Sequence, residues 1–175
     1  MEGYTDQQSS ALANNSYLEG FGVSAWNCYG YQSQVGAYAA WHITSGDINE
    51  RNFPKLNQIV GRGFKFAVAF HGYRDEGYQI ILGGDTDYML SEEQSLKERI
   101  KELIIEKSNG EIEVHLAQAG DRLAGYSSDN IVNRLASREL GGYGGIQIES
   151  SMAVREDYSY EVVDAIAQAL AEALD

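Results

Sequence analysis

The sequence predicts an α/β sandwich built on a mainly parallel sheet. Three observations carry that expectation. Segments of strand character alternate with segments of helical character along the chain. Residues 64–70, FKFAVAF, form a short apolar and aromatic run with little alternation, the pattern of a central strand covered on both faces. Residues 91–107 and 156–174 carry apolar stripes at helical spacing.

Taken in order, residues 5–19 suit a helix opened by Thr5 or Asp6 and closed near Gly20. Residues 22–29, GVSAWNCY, read as a strand, residues 31–40 as a loop, and residues 41–44 as a short extended piece. Residues 53–60 suit a short helix with the only proline, Pro54, in its first turn, where a missing N–H does no harm. The 64–70 strand ends on His71-Gly72, and a polar turn leads to a second strand closing on Gly83-Gly84. Residues 91–107 form the clearest helix, with a capping-box pattern at Ser91 and Gln94 and with Leu96, Ile100, Leu103 and Ile104 on one face. A strand over 111–117, a loop over 120–129, a short helix over 130–138 and a strand over 146–149 follow. An amphipathic helix with Val162, Val163, Ile166, Leu170 and Leu174 closes the chain.

The 175 residues and their 43% hydrophobic content suit one domain with a full core. No run approaches the roughly 18 apolar residues of a membrane span. The first residues, MEGYTDQQSS, do not read as a signal peptide, so the expected compartment is the cytoplasm. A single cysteine, Cys28, excludes an internal disulfide and a cysteine-built zinc site. The charge balance is 26 acidic against 13 basic residues, five of them Lys. An acidic surface poor in Lys suits a high-salt cytoplasm, where repulsion between carboxylates is screened. The absence of a basic stripe argues against nucleic acid as a partner.

Polar residues at the carboxyl ends of predicted strands are the candidates for chemistry, because ligands of open α/β sheets bind there. They are His71, Asp85 and Glu149, with His42 opening the string WHITS and Glu2 at the very start. Each has a plainer alternative. His71 suits a packed ring, Glu149 a surface carboxylate and Asp85 a cap. His42 suits a ring that holds its own turn. His115, inside the alternating EIEVHLA, suits a structural or solvent-facing place.

Five strings in order then carry a resemblance: WHITSGDI from Trp41, AVAFHG from Ala67, IILGG from Ile80, LAGYSSDNIVNRL from Leu123 and GGIQIES from Gly144. The chain resembles the phage-type poly-γ-glutamate hydrolases over most of its length, residues 2–160. The resemblance implies a three-layer α/β/α sandwich with a mixed, mainly parallel sheet, related to the zinc carboxypeptidases. It implies a zinc-dependent hydrolase of γ-glutamyl amide bonds, with poly-γ-glutamate or another γ-glutamyl polymer as substrate. It matches His71 and Glu2 to metal ligands and Glu149 to the general base. The family's further histidine belongs to an HGGxIE-type motif and would stand five residues before Glu2. The expectation is therefore either a start upstream of Met1 or a site of weak or no activity, a non-catalytic polyglutamate-binding protein being the alternative. Loss of the strand that carries this motif would expose a sheet edge, with dimerisation through it as the expectation. The substrate carries one carboxylate per residue, so Arg134, Arg138 and Arg155 are candidate contacts through bidentate forks, with His42 beside them. Their plainer fate is pairing with the surplus carboxylates.

Overall fold

The computed structural model describes residues 4–27, 43, 46–74 and 79–175. Four strands form one sheet: β1 (Ala67–Gly72), β2 (Gln79–Gly83), β3 (Glu113–Leu116) and β4 (Gly145–Ser150). Their order is β1-β4-β2-β3. β1 runs parallel to β4 and β2 parallel to β3, whereas β2 and β4 are antiparallel. The sheet is thus mixed and mainly parallel.

The helices are α1 (Thr5–Ala13), α2 (Leu96–Lys107), α3 (Ile131–Leu135), α4 (Met152–Asp157) and α5 (Ser159–Leu174). Side chains alternate across a strand, so each strand sends one set to each face. Val68, Phe70, Ile80, Leu82, Val114, Ile146 and Ile148 join the larger core cluster with Leu96, Ile100, Leu103 and Ile104 of α2 and Val162, Val163, Ile166 and Leu170 of α5. Ile80, Leu82, Ile146 and Ile148 are all within 1% of full burial. Each such side chain stabilises the fold by about 1.5–3 kcal/mol relative to exposure. Ala67 and Ala69 point the other way, onto a smaller cluster with Leu56, Ile131 and Val132. The second face is therefore covered by α3 and the 3-10 turn Pro54–Gln58, which completes three layers.

Several local expectations shift. Among the described strands residues 64–70 do not form a central one: β1 begins at Ala67, includes His71 and Gly72, and stands at one end of the four, half-buried throughout. The strand buried along its whole length is β4. An apolar run reports that both faces are covered, and it is silent about which edge is paired. Helix α2 starts at Leu96 rather than near Ser91, because Ser95 and Glu98 make the complete capping box: Glu98 N donates to Ser95 Oγ (3.3 Å) and Ser95 N to Glu98 Oε2 (2.8 Å). A carboxylate reaching back is a stronger acceptor than the amide of Gln94. The first helix stops at Ala13, with a separate 3-10 turn at Ser16–Leu18. The described part of the predicted 22–29 strand, residues 22–27, is not extended into the sheet. The predicted loop over 31–40 and nearly all of the 41–44 piece lie outside the described residues. Among the described residues no helix is long and apolar enough to cross a membrane.

Candidate functional site

Register places His71 of β1 directly beside Glu149 of β4. Glu149 in turn faces Ile81 of β2, and Ile81 faces His115 of β3. Paired positions project to the same face, so one row runs His71, Glu149, Ile81, His115 across the sheet. It lies on the α3 face, because His71 shares its side of β1 with Ala67 and Ala69. The two residues with the strongest chemical potential are thus nearest neighbours on adjacent strands. His115 is well exposed at the far end, with Nε2 3.7 Å from an Asp121 carboxylate oxygen.

Glu149 is only 5% exposed. A carboxylate taken out of water needs compensating donors, and Gln147, two residues earlier on the same face, supplies one: its Nε2 donates to Glu149 Oε1 at 2.9 Å. Gln147 is itself held by Leu123 O and by Asn130 Nδ2. Asn130 caps α3, accepting from Val132 N at 3.2 Å. One turn on, Asn133 Nδ2 donates to Gly125 O and Ser127 O, both at 2.8 Å. The 121–129 loop is thereby laced to α3 and to β4.

The arginines divide. Arg134 of α3 pairs with the Glu50 carboxylate and reaches Ile48 O at 3.4 Å. That bond to Arg134 is the chief reason Glu50 keeps its proton affinity below the usual carboxylate range. Both residues line an open groove of about 390 Å³ with Gly46, Asn49, Arg51 and Asp129. Asp129 adjoins Asn130, so the groove and the Glu149 network share one segment of chain. Arg155 follows β4 but stands on the other side of β1: its guanidinium occupies the space where a Cβ on Gly72 would fall, and Gly72 points opposite to His71. It is 5% exposed, with Nε donating to Ser151 O at 3.3 Å. Arg138 lies elsewhere, on Asp87 (2.6 Å) and the Asp85 carbonyl (2.9 Å). Asp85 does not cap the segment that follows it: its Oδ1 accepts from Gly145 N at 2.7 Å and so holds the start of β4.

Glu2, His42 and Cys28 lie outside the described residues. His71 and Glu149 offer an imidazole nitrogen and a carboxylate oxygen, the donor types a zinc ion takes. Among the described residues no group of three His, Cys, Asp or Glu side chains stands close enough to hold a metal. The described residues thus offer donor types that fit zinc without making up a complete ligand set among themselves. Sequence reasoning weighed His71 and Glu149 and passed over Gln147, Asn130 and Asn133. Their signal was present in two polar residues on the buried β4 and in an Asn before an apolar helix.

The family model for poly-gamma-glutamate hydrolase matches residues 8–168. The chain belongs to that family. Among solved structures, bacteriophage poly-gamma-glutamate hydrolase is similar at 27% identity and a TM-score of 0.50, over 75% of this chain and 62% of that one. The zinc-free apo form of YNDL is similar at 22% identity and a TM-score of 0.57, over 78% of this chain and 65% of that one. At that identity the second likeness speaks for the fold. The chain spans less than two thirds of the length of either structure. Among curated proteins none matches. Within the poly-gamma-glutamate hydrolase family assignment, two of the five sequence strings acquire a physical meaning. Residues 123–135 and 144–150 are the two halves of the network that holds Glu149.

Proposed function

We propose that this chain is a zinc-dependent hydrolase of γ-glutamyl amide bonds, with Glu149 as general base and His71 as a metal ligand. The adjacency of His71 and the buried Glu149 in one row of the sheet is the observation that supports it most. Glu2 is the second ligand on this reading, by the family resemblance. Zinc, when bound, would supply Lewis-acid polarisation of the scissile carbonyl. Glu149 takes the proton of the attacking water and returns it to the leaving amine, a role that suits a carboxylate whose one oxygen is held by Gln147. Arg134, in the groove beside the site, contacts substrate carboxylates by exchanging its Glu50 partner for them. His42 stays on this reading a substrate contact. Arg155, on the opposite side of β1 from Glu149, packs its guanidinium against Gly72 and holds the strand end rather than contacting substrate at the Glu149 row.

A net charge of −13 repels a polyanion at low ionic strength. Salt screens that repulsion, so KM for the polymer should fall as salt rises, in keeping with a high-salt habitat. The test is incubation of the protein with poly-γ-glutamate and with α-linked polyglutamate, with added zinc and with a chelator, followed by polymer length and new amino ends. Zinc-dependent shortening of the γ-linked polymer alone supports the reading. No shortening at saturating zinc, or equal cleavage of the α-linked polymer, contradicts it.

A further inference from the structure

The orientation of Glu149 can be followed, atom by atom, back to the cap of α3. Asn130 Oδ1 accepts from Val132 N at 3.2 Å. An amide has its oxygen on one side and its two donors on the other, so Asn130 must turn Nδ2 towards β4. There it donates to Gln147 Oε1 at 2.7 Å and to Gly125 O at 3.2 Å. With its oxygen thus engaged, Gln147 can present only Nε2 to its other neighbours. It donates to Glu149 Oε1 at 2.9 Å and to Leu123 O at 3.1 Å. Asn130, Gln147 and Glu149 are 4%, 5% and 5% exposed, so water does not offer substitutes.

The surrounding backbone bends to keep this arrangement. Leu123, whose carbonyl takes Gln147 Nε2, has a φ of 64°, an uncommon conformation for a side-chain-bearing residue. Gly125 has a φ of 70°, and a Cβ there would stand 2.7 Å from Gln147 Oε1. Both residues are bent around one side-chain amide.

We propose that Asn130 and Gln147 are positioning residues: the helix cap sets which way the Gln147 amide points, and that amide sets the rotamer of Glu149. The catalytic part of this inference rests on Glu149 being the base. The orienting part stands without it.

Asn130→Asp is the decisive variant. Asp caps a helix as well as Asn does, so α3 persists. It offers Gln147 only acceptor oxygens, which turns the Gln147 amide over and aims its oxygen at Glu149. The crystal structure of this metal-free variant is expected to show Gln147 reversed and Glu149 in a different rotamer. Its kcat is expected to fall about 10- to 100-fold, the usual effect of losing an orienting partner, with KM within about twofold. Asn130→Ser, which caps without imposing acceptors on Gln147, should leave Glu149 in place and lose less than about tenfold in kcat. Should Asn130→Asp fail to fold, Gln147→Met has nearly the same volume and no donor, and should lower kcat with KM unchanged. Glu149 in its original rotamer in Asn130→Asp, or an undiminished kcat in Gln147→Met, overturns the inference. A wild-type protein inactive on the polymer, with Glu149 displaced in Asn130→Asp, keeps the orienting relay and removes the proposed function instead.

Discussion

The two faces of β4 solve the same problem in opposite ways. All six of its residues are buried. On one face Ile146 and Ile148, at 0% exposure, meet the side chains of α2 and α5 in a hydrocarbon layer. On the other, Gln147 and Glu149, each 5% exposed, are held by directed bonds: Asn130 Nδ2 donates to Gln147 Oε1, and Gln147 Nε2 donates to Leu123 O and to Glu149 Oε1. The first face depends on volume and tolerates exchange of one apolar shape for another. The second depends on direction, because each polar atom there is costly if left unmatched. The hydrocarbon face stabilises the sheet, and the polar face holds one carboxylate in one orientation at considerable cost. On the proposed function, that asymmetry separates the part of this molecule that makes it fold from the part that makes it act.

Substitutions should therefore divide by face. Ile148→Ala leaves a cavity in the hydrocarbon layer and is expected to cost about 2–5 kcal/mol in chemical denaturation. It should leave kcat per folded molecule unchanged, and a large loss of kcat would blur the division. Gly83→Ala attacks the polar face. Gly83 pairs with Gln147, and a Cβ there would collide with the carbonyl of Ala124. Overpacking of this kind costs about 1–3 kcal/mol. The loop carrying Leu123 must move, so activity should fall by more than the loss in stability explains. Equal behaviour of the two variants in a paired melt and rate measurement would remove the contrast.

The smallest effect lies on neither face. Glu172 at the end of α5 has its proton affinity lowered, first by its bond to Arg99 (2.8 Å) and also by Gln168. A carboxyl depressed in the folded state stabilises above its unfolded value, near 4.3, and loses that contribution as pH falls through the lower folded value. Asp87, held down chiefly by Arg138, has the same sign. Partly exposed pairs are worth at most about 1 kcal/mol each. Urea melts should thus show a modest decline between pH 5 and 3, reduced in Arg99→Ala. A decline of the same size in that variant would place the acid-sensitive groups elsewhere.

The hydrocarbon face was legible in the sequence and the polar face only in part. Ile100, Leu103, Ile104, Val162, Ile166 and Leu170 announce themselves by helical spacing, and the structure buries all of them. His71 and Glu149 could be proposed from their places after apolar runs, since a strand end has a simple one-dimensional signature. Their adjacency could not, because it comes from the parallel pairing of β1 with β4 across more than seventy residues. The place of β1 at the end of the described strands was hidden for the same reason. Asn130 and Gln147 read as the first residue of a short helix and a strand residue until the fold brings them to 2.7 Å. Arg155 shows the limit of proximity along the chain: six residues beyond Glu149, it comes to rest on the opposite side of the neighbouring strand.

The claim that the polar face exists to hold a reactive carboxylate is tested most directly by Glu149→Gln. Its melting temperature and its rate of poly-γ-glutamate cleavage should be measured beside the wild-type protein at equal bound zinc. Removing the buried charge while keeping the shape should leave the melting temperature unchanged or raised. The rate should fall by about 10²–10⁴, the contribution of a general base. A variant that melts much earlier yet cleaves at the wild-type rate would make Glu149 a structural residue and contradict the account.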